Sequence, residues 1–293
     1  MEFLETFYTK FVPIFLFTVM TAMGLSLTVR DFRAVLHKPV AILAGLAAQL
    51  LLLPLIATGL GLLFNSPAVI AAGAIILAAC PGGVTSNAYF FASRADVALS
   101  IGLTAVASFI TVITIPLLTL FALRLHLDQS AIPALPVATM MWTLAKFTVI
   151  PVALGMLLRH LRALAMRAIE PLRVFTLAAL IVVVVIGTAT AWETILANLW
   201  TAGILMVTIN VLAMTLGYSM ATALRLPFSQ VASITFEVGV QNLSLALFVC
   251  LTFLKSPDLA IATLVYALVM KVTALSFVAY TRHKLRLADP QAS

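Results

Sequence analysis

Apolar residues run along this chain in nine long blocks, not in alternation with polar ones. The blocks cover approximately 11–29, 39–63, 68–92, 97–123, 137–158, 174–191, 199–221, 228–253 and 259–281, bounded by charged residues or by Pro and Gly. A helix needs about 20 apolar residues to cross a hydrocarbon core of roughly 30 Å, so each block is long enough for one crossing. Membrane β-strands would instead read as alternating stretches of about ten residues, and nothing here alternates. The expected fold class is all-α, a polytopic membrane protein with about nine transmembrane helices.

Composition sharpens that expectation. Of 293 residues, 63% are apolar and only 9% are charged, with a mean hydropathy of +1.17. Such a chain cannot cover itself with a wettable surface. Disorder, a coiled coil and nucleic-acid binding are excluded together, because the net charge of +7 gathers into no basic patch. The bilayer is the expected partner, and the chain is read as a monomer. Glu2 and Glu5 stand where a cleavable signal would carry basic residues.

Lysine and arginine set the orientation. Arg30, Arg33, Lys38, Arg94, Arg159, Arg162, Arg167, Arg173, Arg225, Arg282, Lys284 and Arg286 fall in alternate connections and the tail. The intervening connections and the N-terminus hold only Lys10, Arg124 and Lys255. By the positive-inside rule the C-terminus is cytoplasmic and the N-terminus outside, as an odd span number requires. The expected location is the inner membrane of the cell.

Two interruptions at membrane depth suggest chemistry. Glu237 lies about nine residues into the eighth block, within Thr235-Phe236-Glu237-Val238-Gly239-Val240-Gln241-Asn242. A midplane carboxylate costs at least ~2.5–3.5 kcal/mol, so it should face protein, water or a cation; a structural pair with lysine is the plainer alternative. The third block contains Cys80-Pro81-Gly82-Gly83-Val84-Thr85-Ser86-Asn87, which breaks a helix and places three polar residues beyond the break. Irregular backbone survives at this depth only inside protein or beside a cavity. Interruptions at matching places in two halves point to a midplane site between inverted repeats, four spans plus five. Ser100 and Thr104 share one helix face, and Gln49 interrupts the second block. With Glu237, Gln241, Ser86 and Asn87 they form an all-oxygen donor set of one formal charge. That set suits a hard monovalent cation, and sodium is the economical choice.

The segments 80–87, Asp96-Val97-Ala98-Leu99-Ser100 and 237–242 resemble the bile acid:sodium symporter family, as do Gly24-Leu25 and His37-Lys38-Pro39. The resemblance implies a core domain with two crossing discontinuous helices and a panel domain. Carried onto this chain, 1–36 is a panel helix, 37–130 the first half of the core, 131–195 panel helices, 196–285 the second half of the core, and 286–293 a cytoplasmic tail. It implies two Na⁺ sites behind the crossing. The first uses Ser86, Asn87, Ser100, Thr104 and Glu237; the second uses Gln49, Glu237, Gln241 and the carbonyls of Val238 and Val240. Substrate would meet Val84, Thr85, Asn242 and Lys271.

Two departures bear on the cargo. Val84-Thr85 replaces the family's usual Thr-Ala at the crossing, and Lys271 occupies a position that is often uncharged. A small organic anion is therefore expected instead of a bile acid, with Lys271 pairing its carboxylate or standing in for one sodium near Glu237. Lys146 reads as a snorkelling lysine. The expected function is Na⁺-coupled symport by alternating access. The alternatives are proton coupling at Glu237 and a metalloid (arsenite-type) exporter of related fold using Cys80. An enzyme is not expected, since Glu237 has no acidic partner and the four histidines lie at block ends.

Overall fold

The computed structural model describes residues 2–29, 31, 37–83, 89–90, 93–127, 136–160 and 162–288. Among these residues every regular element is helical. The helices are α1 (Glu2–Ser26), α2 (Pro39–Leu63), α3 (Ala68–Ala78), α4 (Val97–His126), α5 (Val137–His160) and α6 (Arg162–Thr190), followed by α7 (Trp192–Ala197), α8 (Leu199–Ala223), α9 (Phe228–Gly239), α10 (Leu243–Phe253) and α11 (Pro257–Ala288). Helix occupies each of the nine apolar blocks. Six stretches are long and apolar enough to cross a membrane, in α1, α2, α4, α5, α8 and α11, while α3, α10 and Val174–Thr190 of α6 are shorter apolar helices.

Local chemistry fixes where the helices begin and end. Pro39 and Pro257 occupy first-turn positions, where a missing N–H costs nothing. Two of the turns are built alike. After α2, Asn65 takes a left-handed conformation (φ 47°), Ser66 N–H donates back to Gly61 O at 3.0 Å, and Pro67 opens α3. After α8, Arg225 does the same (φ 54°), Leu226 N–H donates to Ala221 O at 3.1 Å, and Pro227 opens α9. Left-handed closure of this kind satisfies the orphan carbonyls of a helix end. Arg94 and Lys255, ahead of α4 and α11, are also left-handed.

Packing sorts the helices into two groups. Helix α1 lies against α5 and α6, while α2, α3, α4, α8, α9, α10 and α11 pack among themselves. The groups touch through α4 and α5, α6 and α11, and α1 and α10. In lipid, association depends on close van der Waals contact more than on burial from water. Gly24 and Gly155 meet that need: a Cβ on Gly24 would strike the Val152 carbonyl, and one on Gly155 the Thr21 carbonyl. Outward faces remain apolar, with Leu43, Leu55, Ile113, Trp200 and Leu268 all exposed. That exterior suits acyl chains, and the chain is a multi-pass membrane protein.

Candidate functional site

The two interrupted segments meet. Helix α3 stops at Ala78 because Pro81 follows, and α9 stops at Gly239, where Val240 turns extended (φ −109°, ψ 98°). Gly82 and Gln241 then face each other as an isolated antiparallel bridge. Gly83 N–H donates to Val240 O and Asn242 N–H donates to Pro81 O, both at 2.9 Å. Each break thus satisfies backbone groups that the other leaves open, in a region where no water would do so. The Asn242 side chain caps α10, its Oδ1 accepting from Leu245 N–H at 3.1 Å.

Glu237 sits against this crossing and is 1% exposed. Ser100 Oγ donates to its Oε2 at 2.8 Å and Thr104 Oγ1 donates to its Oε1 at 2.5 Å. The fourfold spacing of 96, 100 and 104 on α4 matches that of 229, 233 and 237 on α9. Asp96 N–H donates to Ser229 O at 3.0 Å and Ser233 Oγ donates to Asp96 O at 2.8 Å. Asp96 also caps α4 through Leu99 N–H and forms an ion pair with Lys38. This ladder locks the relative register of the two helices and so aims both hydroxyls at the carboxylate. Gly82 completes the enclosure, because a Cβ there would fall on the Glu237 carboxylate.

Behind the crossing, Gln49 projects from a π-helical turn (Ala48–Leu52) within α2. Its Nε2 donates to Cys80 O and to Gln241 Oε1, each at 3.1 Å. Gln241 Nε2 donates to Val238 O at 2.7 Å. Among the described residues, Gln49 Oε1 is buried with no donor and Asn242 Nδ2 is buried with no acceptor. A buried amide oxygen without a donor is the atom a cation would use. The donors on these segments are the Glu237 carboxylate, the Ser100 and Thr104 hydroxyls, the Gln49 and Gln241 amides and backbone carbonyls, while the Cys80 thiol is turned to Ile76 O. The donors fit a hard monovalent cation.

The structure therefore brings Ser100, Thr104 and Glu237 into direct contact and links Gln49, Gln241 and the Val238 carbonyl, while the Val240 carbonyl accepts from Gly83 N–H. Val84, Thr85, Ser86 and Asn87 lie outside the described residues. Lys271 is placed differently from expectation. On α11 the inward face carries Tyr266, Met270 and Ala274, while Lys271 shares the exposed face with Leu268, Val272 and Leu275. It does not stand in for a sodium at Glu237, since the body of α11 separates its face from the one that carries Tyr266 to the crossing. Lys146 is exposed, with its ammonium 5.2 Å from the centre of the Trp142 ring.

Two buried residues escaped sequence reasoning. Asn210 of α8 donates through Nδ2 to Gly239 O and to Tyr266 Oη, each at 2.9 Å. Tyr266 Oη donates to the same Gly239 carbonyl at 2.9 Å. A single amide side chain inside the seventh block was the available signal, but a lone Asn also links helices for stability alone.

Crossing broken helices over a buried carboxylate, within an all-helical membrane protein, define the class of molecule. The profile of the Sodium Bile acid symporter family matches residues 13–198, and the chain belongs to that family. Among its curated relatives is a protein of Bacillus subtilis described as an uncharacterized sodium-dependent transporter, 29% identical over 82% of this chain and 73% of its own length. The human ileal sodium/bile acid cotransporter is 26% identical over 91% of this chain and 76% of its own. A probable chloroplastic sodium/metabolite cotransporter of rice is 29% identical over 76% of this chain, which spans 54% of that relative.

Proposed function

We propose that this chain is a sodium-coupled symporter of a small organic anion. The observation that carries the reading is the Glu237 carboxylate, 1% exposed and held by two hydroxyls where two helix breaks meet. Family membership and the sodium-dependent descriptions of the relatives support it.

In this reading one Na⁺ is held by Glu237, Ser100 and Thr104 with Ser86 and Asn87, and a second by Gln49, Gln241, Glu237 and the carbonyls of Val238 and Val240. Both are co-transported substrates. Their charge neutralises the carboxylate and draws the crossing together, which orders the anion site at Val84, Thr85 and Asn242. The α10 N-terminus favours an anion there through its free amides. The chain runs through nine spans as two inverted repeats. The like-built turns at Asn65 and Arg225 and the left-handed residues at Arg94 and Lys255 support that symmetry. Helices α1, α5 and α6 form the panel against which the remaining core rocks, with the N-terminus outside and the C-terminus in the cytoplasm.

At about −100 mV and a tenfold gradient, each entering Na⁺ releases roughly 3.7 kcal/mol. Two release about 7.4, and importing a monoanion costs about 2.3, leaving roughly 5 kcal/mol, or several-thousandfold accumulation. A single Na⁺ leaves only about tenfold. The test is uptake of small carboxylates and sulfonates into proteoliposomes with Na⁺ or choline outside. Uptake should require Na⁺, and Glu237→Gln should abolish that dependence. Unchanged Na⁺-driven uptake by this variant would remove the carboxylate from the mechanism, while uptake that follows a pH gradient without Na⁺ would favour proton coupling.

A further inference from the structure

The three carbonyls that end α9 are directed by three different sets of partners. Val238 O accepts from the Gln241 side chain, and Val240 O accepts from Gly83 N–H on the opposing break. Gly239 O, between them, is drawn the other way and accepts from Asn210 of α8 and Tyr266 of α11. Asn210 and Tyr266 are 0% and 1% exposed and bond to each other as well, so the three groups close a triangle. Gly239 also lies so close to α8 that a Cβ on it would strike Met214. Each peptide plane is rigid and meets the next only through one φ and one ψ, so fixing the middle carbonyl removes part of the rotation open to its two neighbours.

We propose that Asn210 and Tyr266 are positioning residues for Na⁺ at the second site, a role that rests on the sodium reading above. By pinning the Gly239 carbonyl toward α8 and α11, they hold the Val238 carbonyl toward Gln241 and the Val240 carbonyl toward the opposing break before the ion arrives. Neither side chain touches the ion. Each contributes preorganisation, and without it the ion must order the break itself. Both of the Asn210 N–H groups are in use, while its buried Oδ1 has no partner among the described residues. That unbalanced amide is a cost to stability, retained where the Gly239 carbonyl needs a fixed donor.

The experiment uses the purified full chain and sodium alone. Melting temperature is followed as NaCl replaces choline chloride at constant ionic strength, for wild type, Tyr266→Phe, Asn210→Ala and Glu237→Gln. Tyr266→Phe removes one hydroxyl and keeps the ring. It should raise the half-saturating Na⁺ concentration about fivefold, while the melting temperature in choline falls only slightly. Asn210→Ala should raise it further, and Glu237→Gln should flatten the response. A purely structural role predicts melting curves lowered equally at every Na⁺ concentration, with half-saturation unchanged; that outcome overturns the proposal. Should Asn210→Ala fail to fold, Tyr266→Phe decides alone. A wild type that does not respond to Na⁺ refutes the sodium reading itself, and this inference with it.

Discussion

Gly82→Ala is the substitution whose consequence the geometry defines most sharply. The added methyl would come against Glu237 Oε1 and lie 2.6 Å from the carboxyl carbon. Neither partner can retreat easily. Gly82 is bridged to Gln241, with Gly83 N–H bound to Val240 O at 2.9 Å, and the carboxylate is held by Ser100 on Oε2 and by Thr104 on Oε1. Overpacking a tight site costs about 1–3 kcal/mol, and displacing the carboxylate from one hydroxyl loses a charge-assisted hydrogen bond of about 1.5–3 kcal/mol. A combined penalty near 4 kcal/mol, shared between fold and ion binding, is of the order of a thousandfold in affinity if ion binding bears most of it. The assay is Na⁺-dependent thermal stabilisation of the variant beside Gly82→Ala/Glu237→Asp, in which the shorter acid withdraws by one methylene. The double variant should recover part of the Na⁺ response lost by Gly82→Ala, a coupling that only residues in contact produce. Equal Na⁺ half-saturation in Gly82→Ala and wild type, or strictly additive effects in the pair, would refute the reasoning.

Three further outcomes follow from the same contacts. Asp96→Ala removes the α4 cap and should lower stability by about 1–2 kcal/mol in a melting experiment. Asp96→Asn keeps a capping oxygen and loses only a partly exposed ion pair, so its cost should stay below about 1 kcal/mol. Gly155→Ala forces α1 away from α5 at the Thr21 carbonyl and should cost about 1–3 kcal/mol in thermal stability, with Na⁺ half-saturation unmoved because the helix pair lies apart from Glu237. Lys271→Gln should leave the half-saturating concentrations of both the transported anion and Na⁺ unchanged in uptake assays, because the ammonium stands on the exposed face of α11.

Much of the scaffold was legible in the chain because its cause is local. Backbone polar groups in lipid must be satisfied within the segment, so each apolar block had to become helix, and Pro81-Gly82-Gly83 had to interrupt one. Glu237 declared itself by cost, as a carboxylate with no reason to lie amid apolar residues unless something holds it. Ser100 and Thr104 were readable as a shared face from their spacing alone.

Other features depended on which segments meet, and no local period encodes that. Residues about 160 positions apart form the bridge between Gly82 and Gln241, and that bridge turns two helix breaks into one enclosed site. Asn210 and Tyr266 looked like ordinary polar residues in apolar helices until folding placed both on the Gly239 carbonyl. Lys271 looked like an interior cation, yet the rotation of α11 was set by packing Tyr266, Met270 and Ala274 inward, which left the lysine exposed. Sequence determined the helices, their breaks and the presence of a buried acid, since those follow from the energetics of each segment in lipid. Tertiary structure decided which breaks pair, which face of each helix turns inward and which carbonyl is pinned, because those are contacts between segments distant along the chain.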